Sequence, residues 1–226
     1  MDLSNLYRCL KTGYSSRWRR PKRLIYGWLS LAAIGAVYLI NVFTRFLDEI
    51  FFPGYRLIEI SSPLIITANP RSGTTFLHRL ISLDEERFTS FRLRDVLLPS
   101  ISMGKLMRLY ACLDRALGSP LKRAIDGIFE RGFGMWDNIH SIGFSKPEED
   151  EGLFIFTFST AALYAVFPFF KEVPGLRFAD FLPERKRKAL VRYYRGCIKR
   201  FLYANGRNRT FLLKSVLLSG RLKIVH

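Results

Sequence analysis

Residues 63–80 read Pro-Leu-Ile-Ile-Thr-Ala-Asn-Pro-Arg-Ser-Gly-Thr-Thr-Phe-Leu-His-Arg-Leu, and this segment sets the architecture expected for the whole chain. The run at 64–67 is apolar and β-branched, which predicts a short strand buried on both faces. An Asn-Pro pair ends that strand, and Gly73 supplies a loop position without a Cβ atom. Apolar residues then recur at helical spacing after Thr74. The sequence therefore predicts a strand, a tight loop and a helix in direct succession.

The loop of this segment has the chemistry of an oxyanion site. A loop that opens a helix directs its backbone N–H groups and the positive end of the helix dipole into one small concavity. Arg71 adds a planar fork suited to phosphate or sulfate oxygens, and Ser72, Thr74 and Thr75 add hydroxyl donors. No Lys follows Gly73 as it does in a Walker A motif, which argues against an ordinary ATPase or GTPase. The alternative is an ordinary strand–turn–helix with an incidental arginine.

Residues 70–75, Pro-Arg-Ser-Gly-Thr-Thr, resemble the 5′-phosphosulfate loop of sulfotransferases that use 3′-phosphoadenosine 5′-phosphosulfate (PAPS). The resemblance is to membrane-associated or bacterial-type sulfotransferase family proteins, and it covers most of residues 45–226. It implies a helix-rich α/β fold with a P-loop-like parallel sheet flanked by helices. It also implies metal-free transfer of a sulfuryl group from PAPS to a hydroxyl or amine acceptor by in-line displacement. The residues that it assigns to the 5′-phosphosulfate are Arg71, Ser72, Gly73, Thr74 and Thr75.

A second buried strand is predicted at residues 210–213, and a polar pair, Lys214-Ser215, follows it. Adjacent parallel strands end at the same edge of a sheet, so Lys214 is expected beside the loop. The resemblance implies that Lys214 positions or stabilises the transferring sulfuryl group, as a cation near the bridging oxygen. The family usually has Pro after the Lys-Ser pair, where this chain has Val216.

The resemblance suggests two places for the group that takes the acceptor's proton. One is Asp95, at a position where the family usually has Glu; the alternative is a surface acid without a chemical role. The other is His140 together with Glu148 or Glu149, which would need to lie within hydrogen-bond reach of the acceptor oxygen. The residues alone also allow a structural role here, because 145–148 is a capping-box pattern and four acids crowd the first turn of the predicted helix.

The amino-terminal part of the chain has the pattern of a membrane anchor. Residues 24–43 carry no charge and would form about 30 Å of helix, enough to cross the hydrocarbon core. Segment 1–23 before them is basic, which predicts a cytoplasmic amino terminus. If residues 24–43 span the membrane, the domain that follows lies on the opposite side. A Golgi-type enzyme has this topology, if the source is eukaryotic. The alternatives are a helix that lies in the membrane interface and one that covers the domain. We expect a connector at 44–62, turning at Pro53-Gly54, and a partial sulfotransferase domain at 63–226.

The composition calls for anionic partners. The chain has 226 residues and a formal net charge of +17, which favours membrane lipid, nucleic acid or a phosphorylated cofactor. A basic stripe on the helix predicted at 183–205 suits a solvated face, anionic lipid or an anionic acceptor, and nucleic acid is not expected because that face lacks interleaved aromatics. Segment 152–170 is predicted as a buried helix lining an apolar acceptor pocket, with a second membrane span as the alternative that its Pro and hydroxyl residues weaken. Segment 101–117 is predicted as a helix without chemistry. The three cysteines form no metal-ligand or disulfide pattern.

The end of the sequence departs from the family. In the family a further strand, an Arg-Asp-Pro-like element and a Ser grip the 3′-phosphate, whereas this sequence stops at His226. We therefore expect the carboxyl-terminal part of the fold to be missing and an open sheet edge to remain. Two alternatives stand beside the enzyme: a non-catalytic, membrane-associated remnant of the fold, and a nucleotide kinase or NTPase. Expected partners are membrane lipid, through residues 24–43, and a small-molecule, lipid or carbohydrate acceptor.

Overall fold

A computed structural model describes residues 3–15, 21–68, 72–120, 123–124, 127, 147–167, 171–173, 176, 179–206 and 208–215. The described residues form six helices and three strands in the following ranges. The helices are α1 (Leu3–Ser15), α2 (Pro21–Phe51), α3 (Thr74–Ile81), α4 (Leu93–Leu97), α5 (Ile101–Ala116) and α6 (Glu184–Asn205), and the strands are β1 (Leu64–Ile66), β2 (Phe88–Thr89) and β3 (Thr210–Lys214). Short 3₁₀ segments lie at Pro53–Leu57, Asp150–Thr157, Ala161–Ala165 and Ala179–Phe181.

The three strands form a parallel sheet in the order β1–β3–β2. In the β1–β3 register Ile66 lies opposite Lys214, and the Ser215 N–H donates to the Ile66 carbonyl over 3.0 Å. The central strand is buried, with Phe211, Leu212 and Leu213 each at most 3% exposed. A helix-rich α/β fold with a small parallel sheet is thus confirmed, and so are the positions of the two predicted strands. The predicted burial of β1 on both faces is wrong, because Leu64 is 40% exposed.

The main core packs α6 against the sheet. The ring of Phe91 lies 4.8 Å from that of Phe201 and 5.1 Å from that of Phe211, between centroids. Helix α6 confirms the helix predicted at 183–205 and buries its apolar side, including Leu190 and Tyr194. Helix α5 confirms the helix predicted at 101–117.

The segment after residue 147 differs from the predicted helices. Glu148 donates its N–H to the Phe91 carbonyl, and the 3₁₀ segment Asp150–Thr157 begins only two residues later, so the acids do not share the first turn of an α-helix. The helix predicted at 152–170 is also wrong in type over its described residues 152–167, because Phe158 takes a positive φ of 54° and separates two 3₁₀ segments; residues 168–170 lie outside the described residues. The Thr160 side chain accepts the N–H of Ala162 and so begins the 3₁₀ segment Ala161–Ala165. Hydroxyl side chains compete in this way with the backbone bonds of an α-helix. The predicted burial holds, since Ser159 and Thr160 are fully buried.

Helix α2 is longer than the anchor predicted at 24–43 and runs through the first part of the predicted connector. Its part Ile25–Phe51 is long and apolar enough to cross a membrane, by length and composition. The helix continues to Phe51 because Thr44 and Asp48 are buried against the domain. The chain then turns at Pro53, as predicted, into the first 3₁₀ segment. Helix α1 lies within the segment 1–23.

Candidate active site

The site is built where the chain passes from β1 into α3. Gly73, directly before α3, has φ 81° and ψ 6°, a left-handed conformation that strains residues with a Cβ atom. A Cβ atom at this position would meet none of the described residues within 4 Å, so that part of the structure leaves the loop open on this side. Ser72 is exposed and Thr74 is buried. The first backbone N–H groups of a helix have no partner inside the helix, and here they begin at this loop. Arg71 lies outside the described residues.

Lys214 reaches the loop from the end of β3. Its Nζ donates to Oγ1 of Thr75 over 2.7 Å and lies 2.6 Å from Oε1 of Glu149. The side chain of Lys214 is 2% exposed and that of Glu149 is 22% exposed. The parallel register of β1 and β3 explains the contact, because it ends both strands at one edge of the sheet. Three sequence-predicted residues from three separate segments thus meet at one ammonium group.

His78 lies on the same helix as Thr75, and we assigned it no role from the sequence. It lies one helical turn beyond Thr74, is 1% exposed, and its Nε2 makes no hydrogen bond with the described residues. Burial, together with the positive charges of Lys214 and Arg79, lowers the pKa of His78 to about 4. The imidazole is therefore neutral at pH 7. The i, i+4 spacing from Thr74 is the sequence signal that could have placed His78 on this face of the helix.

Asp95 lies at the start of α4. Its Oδ2 accepts the backbone N–H of Arg92 over 3.0 Å, and its Oδ1 lies 3.7 Å from Nε of Arg94. The Asp95 N–H in turn donates to the Arg92 carbonyl over 2.9 Å, so Asp95 holds the first turn of α4, which is a structural role. Burial raises the pKa of Asp95, although the backbone hydrogen bond and nearby arginines oppose the shift. The carboxylate also lines a cavity of about 450 Å³, together with Arg79, Arg92, Arg94, Arg209 and Glu85.

The remaining predicted site residues are Glu148 and His140. The backbone of Glu148 is fixed by its hydrogen bond to Phe91, which places it directly before Glu149 in the strand-like stretch that carries the Lys214 contact. His140 lies outside the described residues. Among the predicted proton acceptors, Glu149 has a described contact with Lys214.

The arrangement combines a helix amino terminus, two threonine hydroxyls and a buried ammonium group. All of these favour an anion with several oxygens. Glu149 adds a partly exposed carboxylate at the same ammonium, where it can accept a proton. Among the described residues, no group of three or more His, Cys, Asp or Glu side chains could hold a metal ion.

No protein-family model matches the sequence, and no curated protein matches it. The structure is similar to the crystal structure of sulfotransferase STF1 from Mycobacterium tuberculosis H37Rv, with a TM-score of 0.68 and 16% sequence identity. The similarity covers 99% of this chain and 56% of that chain, so this chain spans little more than half the length of its structural neighbour. At this identity the similarity concerns the fold: the chain has a sulfotransferase-like fold.

Proposed function

We propose that the chain acts in a PAPS-dependent sulfotransferase, which moves a sulfuryl group to a hydroxyl or amine of a small-molecule, lipid or carbohydrate acceptor. The observation that carries the proposal is the buried Lys214 ammonium, hydrogen-bonded to Thr75 at the amino terminus of α3. The sulfotransferase-like fold supports the same reaction class.

The residues at the loop fit a 5′-phosphosulfate. Gly73 leaves open space where a side chain would stand, so the backbone can approach an anion closely. Thr74 and Thr75 supply hydroxyl donors at the first turn of α3, and Arg71 supplies the charged fork. When bound, PAPS supplies an activated sulfuryl group and a bisphosphate leaving group.

Lys214 and Glu149 divide the chemistry of the proposed transfer between them. The acceptor oxygen or nitrogen forms a bond to sulfur, and the bond from sulfur to the bridging oxygen breaks. The electron pair of that bond stays on the bridging oxygen, where the Lys214 ammonium stabilises the developing negative charge. The proton of the acceptor passes to Glu149, whose carboxylate lies 2.6 Å from the same ammonium. Atoms and charge balance without a metal or a redox partner.

Asp95, His140 and Glu148 remain predicted candidates for assisting roles. Asp95 supports the proposal less directly than Glu149, because its described contacts hold the first turn of α4. Glu148 adjoins Glu149, and its substitution serves as a positional control for the assignment of the proton acceptor.

Titration calorimetry with 3′-phosphoadenosine 5′-phosphate, the desulfated product, tests the proposal, with ATP as the competing ligand. We expect micromolar binding of the bisphosphate and much weaker binding of ATP. Arg71→Ala should weaken bisphosphate binding by at least about tenfold, since a charge-assisted hydrogen bond contributes roughly 1.5–3 kcal/mol. Arg185→Ala, which removes an exposed arginine from α6, is the matched control and should bind like the natural chain.

Two outcomes would overturn the proposal. Preferential, Mg²⁺-dependent binding of ATP would favour a nucleotide kinase or NTPase. Failure to bind either ligand, in a chain whose far-ultraviolet circular dichroism shows the expected helix content, would favour the non-catalytic, membrane-associated remnant.

A further inference from the structure

Helix α2 has its polar and apolar sides reversed relative to a helix on the surface of a soluble domain. Asn41, Thr44 and Asp48, on the side that faces the domain, are at most 7% exposed. Phe43 and Phe46, on the opposite side, are 61% and 60% exposed. A surface helix normally buries its apolar stripe and exposes its polar one. The outer side of α2 is therefore suited to an apolar environment rather than to water.

The buried polar groups of α2 are held by specific contacts. Asn41 donates through Nδ2 to the Leu97 carbonyl over 2.9 Å. The Asp48 carboxylate accepts the backbone N–H groups of Ile101 and Ser102 over 2.9 and 2.8 Å, and its Oδ2 lies 3.2 Å from Nε of Arg200. These bonds fix which side of the helix points toward the domain.

The other charged residues of α2 between residues 25 and 51 also face the domain. The guanidinium of Arg45 lies 4.7 Å from the ring centroid of Tyr193. Glu49 contacts Arg200 over 2.5 Å and also accepts from Tyr55 and Arg56. The outer side of α2 consequently carries no charge along this whole segment. Its exposed large apolar residues are Ile25, Tyr26, Trp28, Leu29, Leu39, Ile40, Val42, Phe43, Phe46, Ile50 and Phe51.

We propose that α2 lies along an anionic membrane surface, with this uncharged outer side in the interface between lipid headgroups and acyl chains. The positions of the cations around this apolar side suit an anionic lipid bilayer. Lys22, at the beginning of α2, is exposed, and so is Lys105 at the other end, where its ammonium is 4.1 Å from the ring centroid of Phe52. Cations at both ends of an apolar helix face can reach lipid phosphates, and the net charge of +17 attracts the whole chain to anionic lipid.

The contacts along the inner side favour a helix that lies on the membrane over one that crosses it. Leu31 and Ile34 pack against the core cluster that contains Phe158, and the polar contacts continue from there to Asp48. The inner side is thus attached to the domain over about 25 Å of helix. The residues before Leu31 provide about 15 Å, which is half of the hydrocarbon thickness. Crossing would require the helix to detach from both core contacts and buried hydrogen bonds.

Helix α5, which packs against α2, extends the apolar surface. Leu109 and Leu113 on this helix and Leu117, directly after its end, are exposed and follow one another at intervals of four residues. A second helix with exposed leucines at this spacing enlarges the area that lipid can cover.

Vesicle flotation of the full chain tests the proposal, with vesicles of phosphatidylcholine mixed with phosphatidylglycerol and with vesicles of phosphatidylcholine alone. We expect strong binding to the mixed vesicles and weaker binding to the neutral ones. The double variant Phe43→Ser/Phe46→Ser should bind at least about tenfold more weakly, because it removes two phenyl rings whose transfer from water into lipid favours binding. Phe181→Ser removes an 85% exposed ring outside this face and should leave binding unchanged.

Labelling with a membrane-impermeant maleimide separates lying from crossing. In a Cys112→Ser background, Lys22→Cys and Leu57→Cys place thiols beyond the two ends of the apolar face. A helix lying on the outer leaflet leaves both thiols reactive from outside, which is the expected result. Protection of one thiol until detergent is added would show a spanning helix and overturn the proposal. Absence of binding to both vesicle types would also overturn it, and would point to a protein surface as the occupant.

Discussion

The pair formed by Lys214 and Glu149 makes a quantitative prediction about stability. Lys214→Met keeps the length of the side chain and removes the charge, and Glu149→Gln keeps the shape and removes the charge. The two single variants and the double variant form a thermodynamic cycle. The cycle isolates the interaction between the two side chains from their other contacts.

The expected coupling follows from the geometry. At 2.6 Å between Nζ and Oε1, the attraction is about 6 kcal/mol at an effective dielectric constant of roughly 20. Solvent at Glu149, whose side chain is 22% exposed, screens this attraction, and we expect a coupling of about 2–3 kcal/mol. Glu149→Gln should cost about 3 kcal/mol, since it leaves a buried ammonium without its carboxylate. Lys214→Met should cost less, since the partly exposed Glu149 can be solvated.

Urea unfolding followed by circular dichroism measures these free energies. Lys188 and Glu184 provide a matched control, because their ion pair has a similar separation of 2.7 Å but is exposed on α6. The corresponding cycle, Lys188→Met with Glu184→Gln, should give a coupling of about 0.5 kcal/mol or less. A Lys214–Glu149 coupling no larger than that of the control would refute the buried pair and, with it, the proposed role of Glu149.

Four further substitutions test other parts of the structure by the same unfolding measurement. The pKa of His78 is lowered to about 4, so the unfolded chain binds more protons below pH 6.5. The natural chain should lose up to about 3 kcal/mol between pH 7 and pH 4, and His78→Gln should lack this loss. Gly152→Ala places a Cβ 2.4 Å from Cγ1 of Val96 and should cost about 1–3 kcal/mol, whereas Gly104→Ala meets nothing within 4 Å and should stabilise α5. Asp48→Ala removes a fully buried carboxylate and should cost about 3–5 kcal/mol.

The sheet and the position of Lys214 could be predicted from the sequence because local signals and a general topological rule agree there. The segments 64–67 and 210–213 are short, apolar and followed by polar residues, and parallel strands place such ends together. The contact between Lys214 and Thr75 is the result. The loop position of Gly73 was likewise predictable, because glycine has no Cβ atom and adopts a positive φ at little cost.

The choice among the acidic residues could not be made from the sequence. Glu148 and Glu149 are adjacent, and which side chain meets Lys214 depends on the direction of the chain at Pro147. That direction is set by a bridge between Pro147 and Arg92, a contact distant in sequence. Asp95 resembled a catalytic base in the sequence, but its described partner is the backbone N–H of Arg92, whose position depends on the local turn into α4.

Helix α2 shows a second limit of sequence reasoning. Composition identifies residues 24–43 as apolar but does not indicate which side of the helix the domain contacts. Asp48 was part of the predicted connector, because the uncharged apolar run ends at residue 43. In the structure two backbone N–H groups of α5 and Arg200 compensate that charge, which allows the helix to continue. The compensating groups lie far along the chain, so periodicity within α2 could not reveal them.

The contacts of Lys214 also bear on how the proposed reaction keeps its charges balanced. A buried ammonium requires a nearby negative charge, and in the structure Glu149 provides it. In the proposed transfer Glu149 gains a proton while negative charge develops on the bridging oxygen beside Lys214. The counter-charge of Lys214 then passes from the carboxylate to the leaving oxygen, and the number of buried charges stays constant. A site of this kind avoids the large desolvation penalty of creating an isolated charge, because proton acceptance and charge stabilisation are coupled through one ammonium group.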